Sequence, residues 1–249
     1  MTRTVPLSHD IAGAGPLLVA VHGITEDRRS WDRVPLAEHF RTVRVDLRGH
    51  GQSPRTAPYD PRTLAGDVHE LVASLGDGEP PLVVGHSFGG VVATAYASRF
   101  PVRGVVDVDQ RLDVAPLPEQ VAQTMRGPGF EDFMRAFFRP FYGDLDPAVA
   151  AELDEHRQLR QDVVAGAWTP LLDLGAPELT AWMRDLTTLP PSTAYLSLHG
   201  LPVDEGYATW LRAQIPGAVV ETAPAATHYP HLADPAWFVQ RLIAFDAAP

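Results

Sequence analysis

Apolar residues are distributed along this chain in two alternating ways. Short, nearly unbroken apolar runs recur at Leu17–Val21 and Pro81–Val84, and Val102–Asp109 and Thr193–Gly200 read as further strands. Runs of this length suit strands buried on both faces. Two further runs, Thr42–Leu47 and Ala218–Thr222, are rich in β-branched residues and read the same way. Between them the spacing changes. Leu64, Val68, Leu71, Val72 and Leu75 fall on one side of a helix over Thr63–Leu75. Gly90 to Phe100 reads as a buried helix, and Gly206–Gln214 and Pro235–Phe245 as two more. A helix from about Trp31 to His39 is expected to join the first two strands. Strands alternating with helices imply βαβ units and an α/β fold, with a mostly parallel central sheet flanked by helices on both faces.

The alternation stops between Leu112 and Pro190. Pro118–Arg126, Phe130–Phe138, Pro147–Val164 and Pro177–Leu186 read as helices, separated by Gly127-Pro128-Gly129, Asp146-Pro147 and Ala176-Pro177. The expected organisation is therefore a core of residues 1–111 and 191–249 interrupted by an all-helical insertion, 112–190. Aromatic side chains are dense in that insertion: Phe130, Phe133, Phe137, Phe138, Phe141, Tyr142, Trp168 and Trp182. Most are expected to be its core and a minority to line a pocket.

Composition narrows the chemistry. The formal charge of −11 argues against nucleic acid or an anionic membrane as partner, since both need a basic face. All twenty basic residues are Arg, and the chain has no Lys and no Cys. That removes a lysine Schiff base, a cysteine nucleophile, a disulfide and a thiolate metal site. No His pair at helical metal-ligand spacing stands out, so neither a metal nor a cofactor is expected. The opening Met1-Thr2-Arg3-Thr4-Val5-Pro6 lacks the apolar region of a signal peptide, and no apolar run approaches the length of a membrane span. A cytoplasmic protein is expected, and no feature sets an oligomeric state.

The chemistry concentrates at Gly85-His86-Ser87-Phe88-Gly89, placed between an apolar strand and a buried helix. A Ser between two such glycines on a sharp strand-to-helix turn is the nucleophile-elbow pattern, which lifts the hydroxyl clear of the backbone. The helix start beyond Ser87 offers unpaired N–H groups where an oxyanion would form.

Three further segments agree with it in order and spacing: His22-Gly23-Ile24-Thr25, Asp46-Leu47-Arg48-Gly49-His50-Gly51-Gln52-Ser53, and Thr227-His228-Tyr229-Pro230-His231-Leu232. Together the four segments resemble the α/β-hydrolase family over essentially the whole chain, and the helical insertion sits where that family carries its cap. The resemblance implies Ser87 as nucleophile and His228 as its base. The family's His-x-Pro-x-Leu pattern favours His228 over its nearest rival, His231. The backbone N–H groups of Ile24 and Phe88 would form the oxyanion hole. Asp46 and Arg48 would be structural turn residues. Relatives that open epoxides or displace halide carry Asp at the nucleophile position, which disfavours those activities here.

The acid has two candidates. Most relatives place it shortly after the strand ending here in His199-Gly200, where Asp204 stands one position late. Asp204 also reads as the N-cap of the following helix. A variant pattern takes the acid from the end of the strand after the elbow helix. Val102–Asp109 fits that variant, with Asp109 at the acid position. Asp109 is the first choice and Asp204 the alternative.

The leading functional expectation is a serine hydrolase of small to medium carboxylic esters, with apolar acyl or aryl groups or as lactones, working through an acyl-enzyme on Ser87. Two other readings stay open. One is C–C bond hydrolysis of diketone-like substrates with the same residues. The other is a non-enzymatic ligand receptor on the same fold.

Overall fold

The structure is a computed structural model that describes residues 3–76 and 78–247. The first two residues of the segment read for a leader lie outside the described residues. Seven strands are seen: β1 (His9–Ala12), β2 (Leu17–Val21), β3 (Arg41–Val45), β4 (Leu82–His86), β5 (Gly104–Val108), β6 (Tyr195–His199) and β7 (Val219–Thr222). They form one sheet in the order β1-β3-β2-β4-β5-β6-β7, parallel throughout except for β1, which runs antiparallel to β3. The core helices are α1 (Pro61–Ser74), α2 (Phe88–Ala97), α9 (Glu205–Gln214), α10 (Pro230–Ala233) and α11 (Pro235–Asp246). Between β5 and β6 the chain makes α3 (Glu119–Arg126), α4 (Phe130–Phe138), α5 (Pro147–His156), α6 (Gln161–Ala167), α7 (Thr169–Asp173) and α8 (Ala176–Leu186), with no strand.

The apolar runs become strands buried on both faces because alternate residues enter different cores. Val83 and Val105 pack with Ala93 and Tyr96 of α2. Leu82, Val84 and Val106 pack with Phe238 and Leu242 of α11. Asp60 caps α1, accepting the N–H groups of Arg62 and Thr63, and Pro61 occupies the first turn, where its missing N–H goes unmissed. Among the described residues, no helix is long and apolar enough to cross a membrane.

Besides the short helices α7 and α10, which the pattern does not mark, three elements differ from the sequence reading. The helix expected over Trp31–His39 is instead two 3-10 turns, Arg28–Trp31 and Leu36–Glu38. Pro35 between them supplies no N–H and disfavours helical geometry at Val34. β1 has no counterpart in the sequence pattern, because four mostly exposed residues carry no readable alternation and only the edge of β3 gives them a partner. The single helix expected over Pro147–Val164 breaks at Arg157, which adopts extended backbone. No Gly or Pro marks that break, and its cause is tertiary: the Gln158 N–H donates to the carbonyl of Thr25, 2.8 Å away.

The topology places the site. The chain runs from β2 outward to β3, then crosses back over β2 to β4 and continues outward through β5, β6 and β7. The direction of winding therefore reverses between β2 and β4. In open α/β sheets the crevice at the carboxyl ends of such a strand pair is where ligands bind. Gly23 and Ile24 follow one of these ends, and Ser87 follows the other.

Close packing at this point depends on two glycines. A Cβ at Gly85 would lie 2.0 Å from the Gly89 carbonyl oxygen, and one at Gly89 would lie 2.4 Å from that of Val21. Gly66, inside α1, has no atom within 4 Å of such a Cβ. The same substitution should therefore have opposite signs at the two places. Gly89→Ala is expected to destabilise by about 1–3 kcal/mol through overpacking. Gly66→Ala is expected to stabilise by about 0.5–1 kcal/mol by restricting the unfolded chain. Denaturant unfolding of both variants checks this, and a stabilised Gly89→Ala protein would contradict the packing described.

Candidate active site

Ser87 joins β4 to α2 with φ 52° and ψ −124°, a positive-φ conformation uncommon outside glycine. Its N–H donates to the Val108 carbonyl at 2.8 Å, and its own carbonyl accepts from Gly90 at 2.7 Å. These bonds hold a strained turn in one geometry, as at other functional turns. The first-turn N–H of Phe88 has no acceptor within its own helix.

The strand register brings the next residue into place. β4 and β5 pair Gly85 with Asp107 and His86 with Val108, so Ser87 and Asp109 leave adjacent strands side by side. Asp109 also has positive φ, 55°. Its carboxylate is fully used. Oδ2 lies 2.5 Å from His228 Nδ1, and Oδ1 accepts the N–H groups of Gly200 at 2.7 Å and Leu201 at 3.0 Å. Burial alone would raise the Asp109 carboxyl, but the hydrogen bond and charge of His228 and the Leu201 N–H outweigh it and hold it below its ordinary value. Burial also holds the His228 imidazole below 6.5, partly offset by Asp109. With its Nδ1 proton engaged by a carboxylate, neutral His228 keeps a lone pair on Nε2.

The other acid candidate does not join this group. Asp204 caps α9, its Oδ1 accepting the Tyr207 N–H at 2.8 Å, and its exposed Oδ2 faces Arg111 at 3.2 Å. The rival His231 is fully buried against Trp31, at 4.7 Å between ring centroids, away from the cavity that holds Ser87.

The loop after β2 is held by two side chains. His22 accepts the Leu47 N–H at Nε2 (3.0 Å), and its Nδ1 therefore donates to the Gly23 carbonyl (2.7 Å). Buried Glu26 accepts the Gly23 N–H at 3.0 Å and faces His86 Nδ1 at 3.2 Å. Burial disfavours its charge, but His86 and then Arg157 outweigh that and hold its carboxyl well below the usual range. His86 Nε2 in turn donates to the His228 carbonyl at 2.9 Å. The Ile24 backbone thus sits on a hydrogen-bonded frame that reaches the His228 loop. Among the described residues, no hydrogen bond takes the N–H of Ile24 or of Phe88.

Ile24, Ser87, Phe88, Asp109 and His228 all line one cavity of about 350 Å³. Its far walls come from the helical segment: Leu117, Phe137, Phe138, Phe141, Trp168, Leu171, Trp182 and Met183. Five of the eight aromatic residues noted in that segment therefore face the cavity, more than the sequence suggested. The lining is apolar apart from the site itself and Gln110, Arg111 and His199. Arg111 is already paired with Asp113 at 2.6 Å.

A sequence model of the alpha/beta hydrolase family matches residues 18–241. The chain belongs to that family. Lipase LipV of Mycobacterium tuberculosis is 40% identical over 158 residues, 57% of this chain and 58% of the lipase. A soluble epoxide hydrolase of Corynebacterium is 41% identical over 42% of this chain and 37% of its own length. The chain thus matches less than two thirds of these curated relatives. Among solved structures, a thermophilic esterase from Thermogutta terrifontis superposes with a TM-score of 0.77 at 23% identity, covering 96% of this chain and 92% of that one. This likeness reports a shared fold.

Three residues around the site were not singled out as participants by sequence reasoning: Glu26, Arg157 and His199. Glu26 follows the His-Gly segment by three residues, but nothing in its neighbours marks it as buried. His199 was read only as a strand end. It bonds Ser197 Oγ at 2.7 Å and lies 3.8 Å from Asp109. Asp46 accepts the N–H groups of Arg28 and Gln52, and Arg48 forms a buried two-pronged pair with Asp67, both outside the cavity. Among the described residues, no cluster of three or more His, Cys, Asp or Glu could hold a metal ion.

Burial pushes His50 down to about 3 and His199 down to about 4, the latter against the opposing pull of Asp109. In the unfolded chain both take up protons near 6.5. Between these values only the unfolded state binds the protons, so stability is complete above pH 6.5 and falls as pH drops toward 4. Melting temperatures between pH 7.5 and 4.5 should follow this slope. His50→Gln should make it shallower, the other buried histidines keeping their share, and an unchanged slope in that variant would assign the protons elsewhere.

Proposed function

We propose that this member of the alpha/beta hydrolase family is a serine carboxylic ester hydrolase, with Ser87 as nucleophile, His228 as general base and acid, and Asp109 as the orienting acid. The observation that carries the reading is the 2.5 Å contact of Asp109 with His228 Nδ1, in the cavity that also holds Ser87 at its strained turn. Residues 112–190 act as the cap over the core of 1–111 and 191–249, their aromatic side chains forming the acyl and alcohol walls.

The steps follow from these roles. Ser87 Oγ attacks the ester carbonyl carbon as His228 Nε2 takes its proton. The carbonyl π electrons move onto oxygen, and the oxyanion accepts from the N–H groups of Ile24 and Phe88. One such donor is worth about 3 kcal/mol of barrier. Asp109 stabilises the imidazolium without taking its proton. The tetrahedral intermediate collapses, the C–O bond to the alcohol breaks, and His228 gives the departing oxygen its proton. Water then attacks the acyl carbon, losing a proton to His228, and the second collapse releases the acid and returns the proton to Ser87 Oγ. The apolar lining suits a neutral substrate with small to medium acyl or aryl groups, lactones included.

Ser87→Ala should lose the covalent adduct with a fluorophosphonate probe and lose at least about 10⁴-fold in kcat on p-nitrophenyl acetate. Asp109→Asn should lower kcat by about 10⁴-fold, having the wrong hydrogen-bond polarity for the tautomer. Asp204→Asn, which keeps a helix cap, should leave kcat unchanged. Loss of activity in Asp204→Asn with retention in Asp109→Asn would reverse the assignment. The base works when neutral, so kcat/KM should rise with pH through a midpoint below 6.5. A wild type labelled at Ser87 that cleaves a vinylogous diketone and no ester would assign the site to C–C hydrolysis. A wild type that is not labelled would leave ligand binding as its role.

A further inference from the structure

The side chain of Arg157 is 1% exposed, whereas paired cations such as Arg33, Arg55 and Arg126 are about half exposed. Burying a guanidinium is unfavourable unless its donors are used. It leaves the end of α5 where that helix breaks, and reaches between two loops of the core. One terminal nitrogen donates to Thr25 Oγ1 at 3.0 Å, the other to the Tyr229 hydroxyl at 2.5 Å. Glu26 lies 3.9 Å away, the Tyr142 hydroxyl 3.5 Å, and the guanidinium sits 3.6 Å over the ring of Phe138. Asp154, half exposed, is 3.4 Å from Nε.

Its two main partners flank the site. Thr25 follows Ile24, and Tyr229 follows His228. Thr25 is held at φ 67°, a conformation that costs a β-branched residue on the order of 1–3 kcal/mol and persists only when its surroundings enforce it. What enforces it comes from the helical segment: Arg157 on its hydroxyl and the Gln158 N–H on its carbonyl. The same segment holds the other loop, since the Phe141 carbonyl accepts the His228 N–H at 2.9 Å. Only a planar fork with several donors can satisfy both loops from one side chain.

We propose that Arg157 is a positioning residue that locks the Ile24 loop and the His228 loop to each other through the helical segment, setting the separation of oxyanion donor and base. The activity arm of this inference rests on the ester-hydrolase reading. The contact geometry does not. In this scheme the 141–158 stretch is a fixed buttress of the site, and Phe141 together with the rest of the cap shapes the cavity.

Two measurements on the full chain decide it. Arg157→Met should lower kcat on p-nitrophenyl butyrate by about 100-fold, the effect expected when a reacting group is displaced by about 1 Å. KM should change less than about threefold, because the cavity wall is kept. Arg157→Lys, which keeps the charge and loses the fork, should recover part of kcat. In hydrogen–deuterium exchange, Arg157→Met should speed exchange in residues 23–27 and 227–231 together. A rise in KM with kcat unchanged, or faster exchange confined to 147–160, would overturn the proposal and leave Arg157 a cap-docking residue. Should Arg157→Met fail to fold, Tyr229→Phe carries the test, with a smaller fall in kcat and faster exchange in both loops expected. Unchanged kcat and exchange in that variant would overturn it. A wild type without ester turnover would remove the ester reading alone, and the exchange comparison would still decide the role of Arg157.

Discussion

The backbone of α2 lies against β2 and β4 at a distance that no Cβ could share. Gly85 and Gly89 leave room for that approach, and the rest of the site is built outward from it. Because α2 starts so close to the sheet, the chain must turn within one residue, and that residue is Ser87 at positive φ. Because the turn lies at the carboxyl end of β4, next to the reversal between β2 and β4, its side chain enters the crevice the topology opens. A third glycine, Gly90, lets α2 sit over Asp107, whose Oδ1 would be 2.1 Å from a Cβ there. Asp107 is fully buried, and burial raises its carboxyl well above the usual range, Asp109 adding to the effect. Two aspartates two residues apart are thus driven in opposite directions, one by burial without a cation, the other by a histidine and two peptide N–H groups.

The polar groups around the cavity form one connected frame. Glu26 links the Gly23 N–H to His86, His86 reaches the His228 carbonyl, and His228 reaches Asp109. Asp109 ends on the N–H groups of Gly200 and Leu201 beyond β6. Every loop that carries a site residue is therefore tied to at least one other. A buried network of this kind is stabilising only when its members are satisfied, and it then admits one arrangement. The helical segment completes it through Phe141, Arg157 and Gln158.

Much of the core was legible because its periodicity is local. Runs such as Leu17–Val21 and Leu82–Val84 are apolar on both faces, as a covered parallel sheet requires. The alternating helices followed from their apolar stripes, and the elbow from its glycines. Apart from the 31–39 segment, which Pro35 breaks locally, the failures share one cause. β1 needed the edge of β3, the 157–160 break needed Thr25, and the many cavity-facing aromatics needed the packing of α4, α6 and α8 around them.

The sequence by itself marked candidate residues and the turn or loop on which each would sit. Ser87, His228, Ile24 and Phe88 were marked by motifs, in which a few residue types at short spacing force a particular backbone. The carboxylate beside His228 was not determined in that way. Asp109 and Asp204 both stand near strand ends, and their local sequence does not separate them. The tertiary structure did, through the β4–β5 register, which sets Asp109 beside Ser87, and through α9, which takes Asp204 as its cap. Arg157 lies further still from sequence, since its contacts cross 132 residues to Thr25 and 72 to Tyr229. Contacts of that separation depend on how whole elements pack, and no local pattern records them.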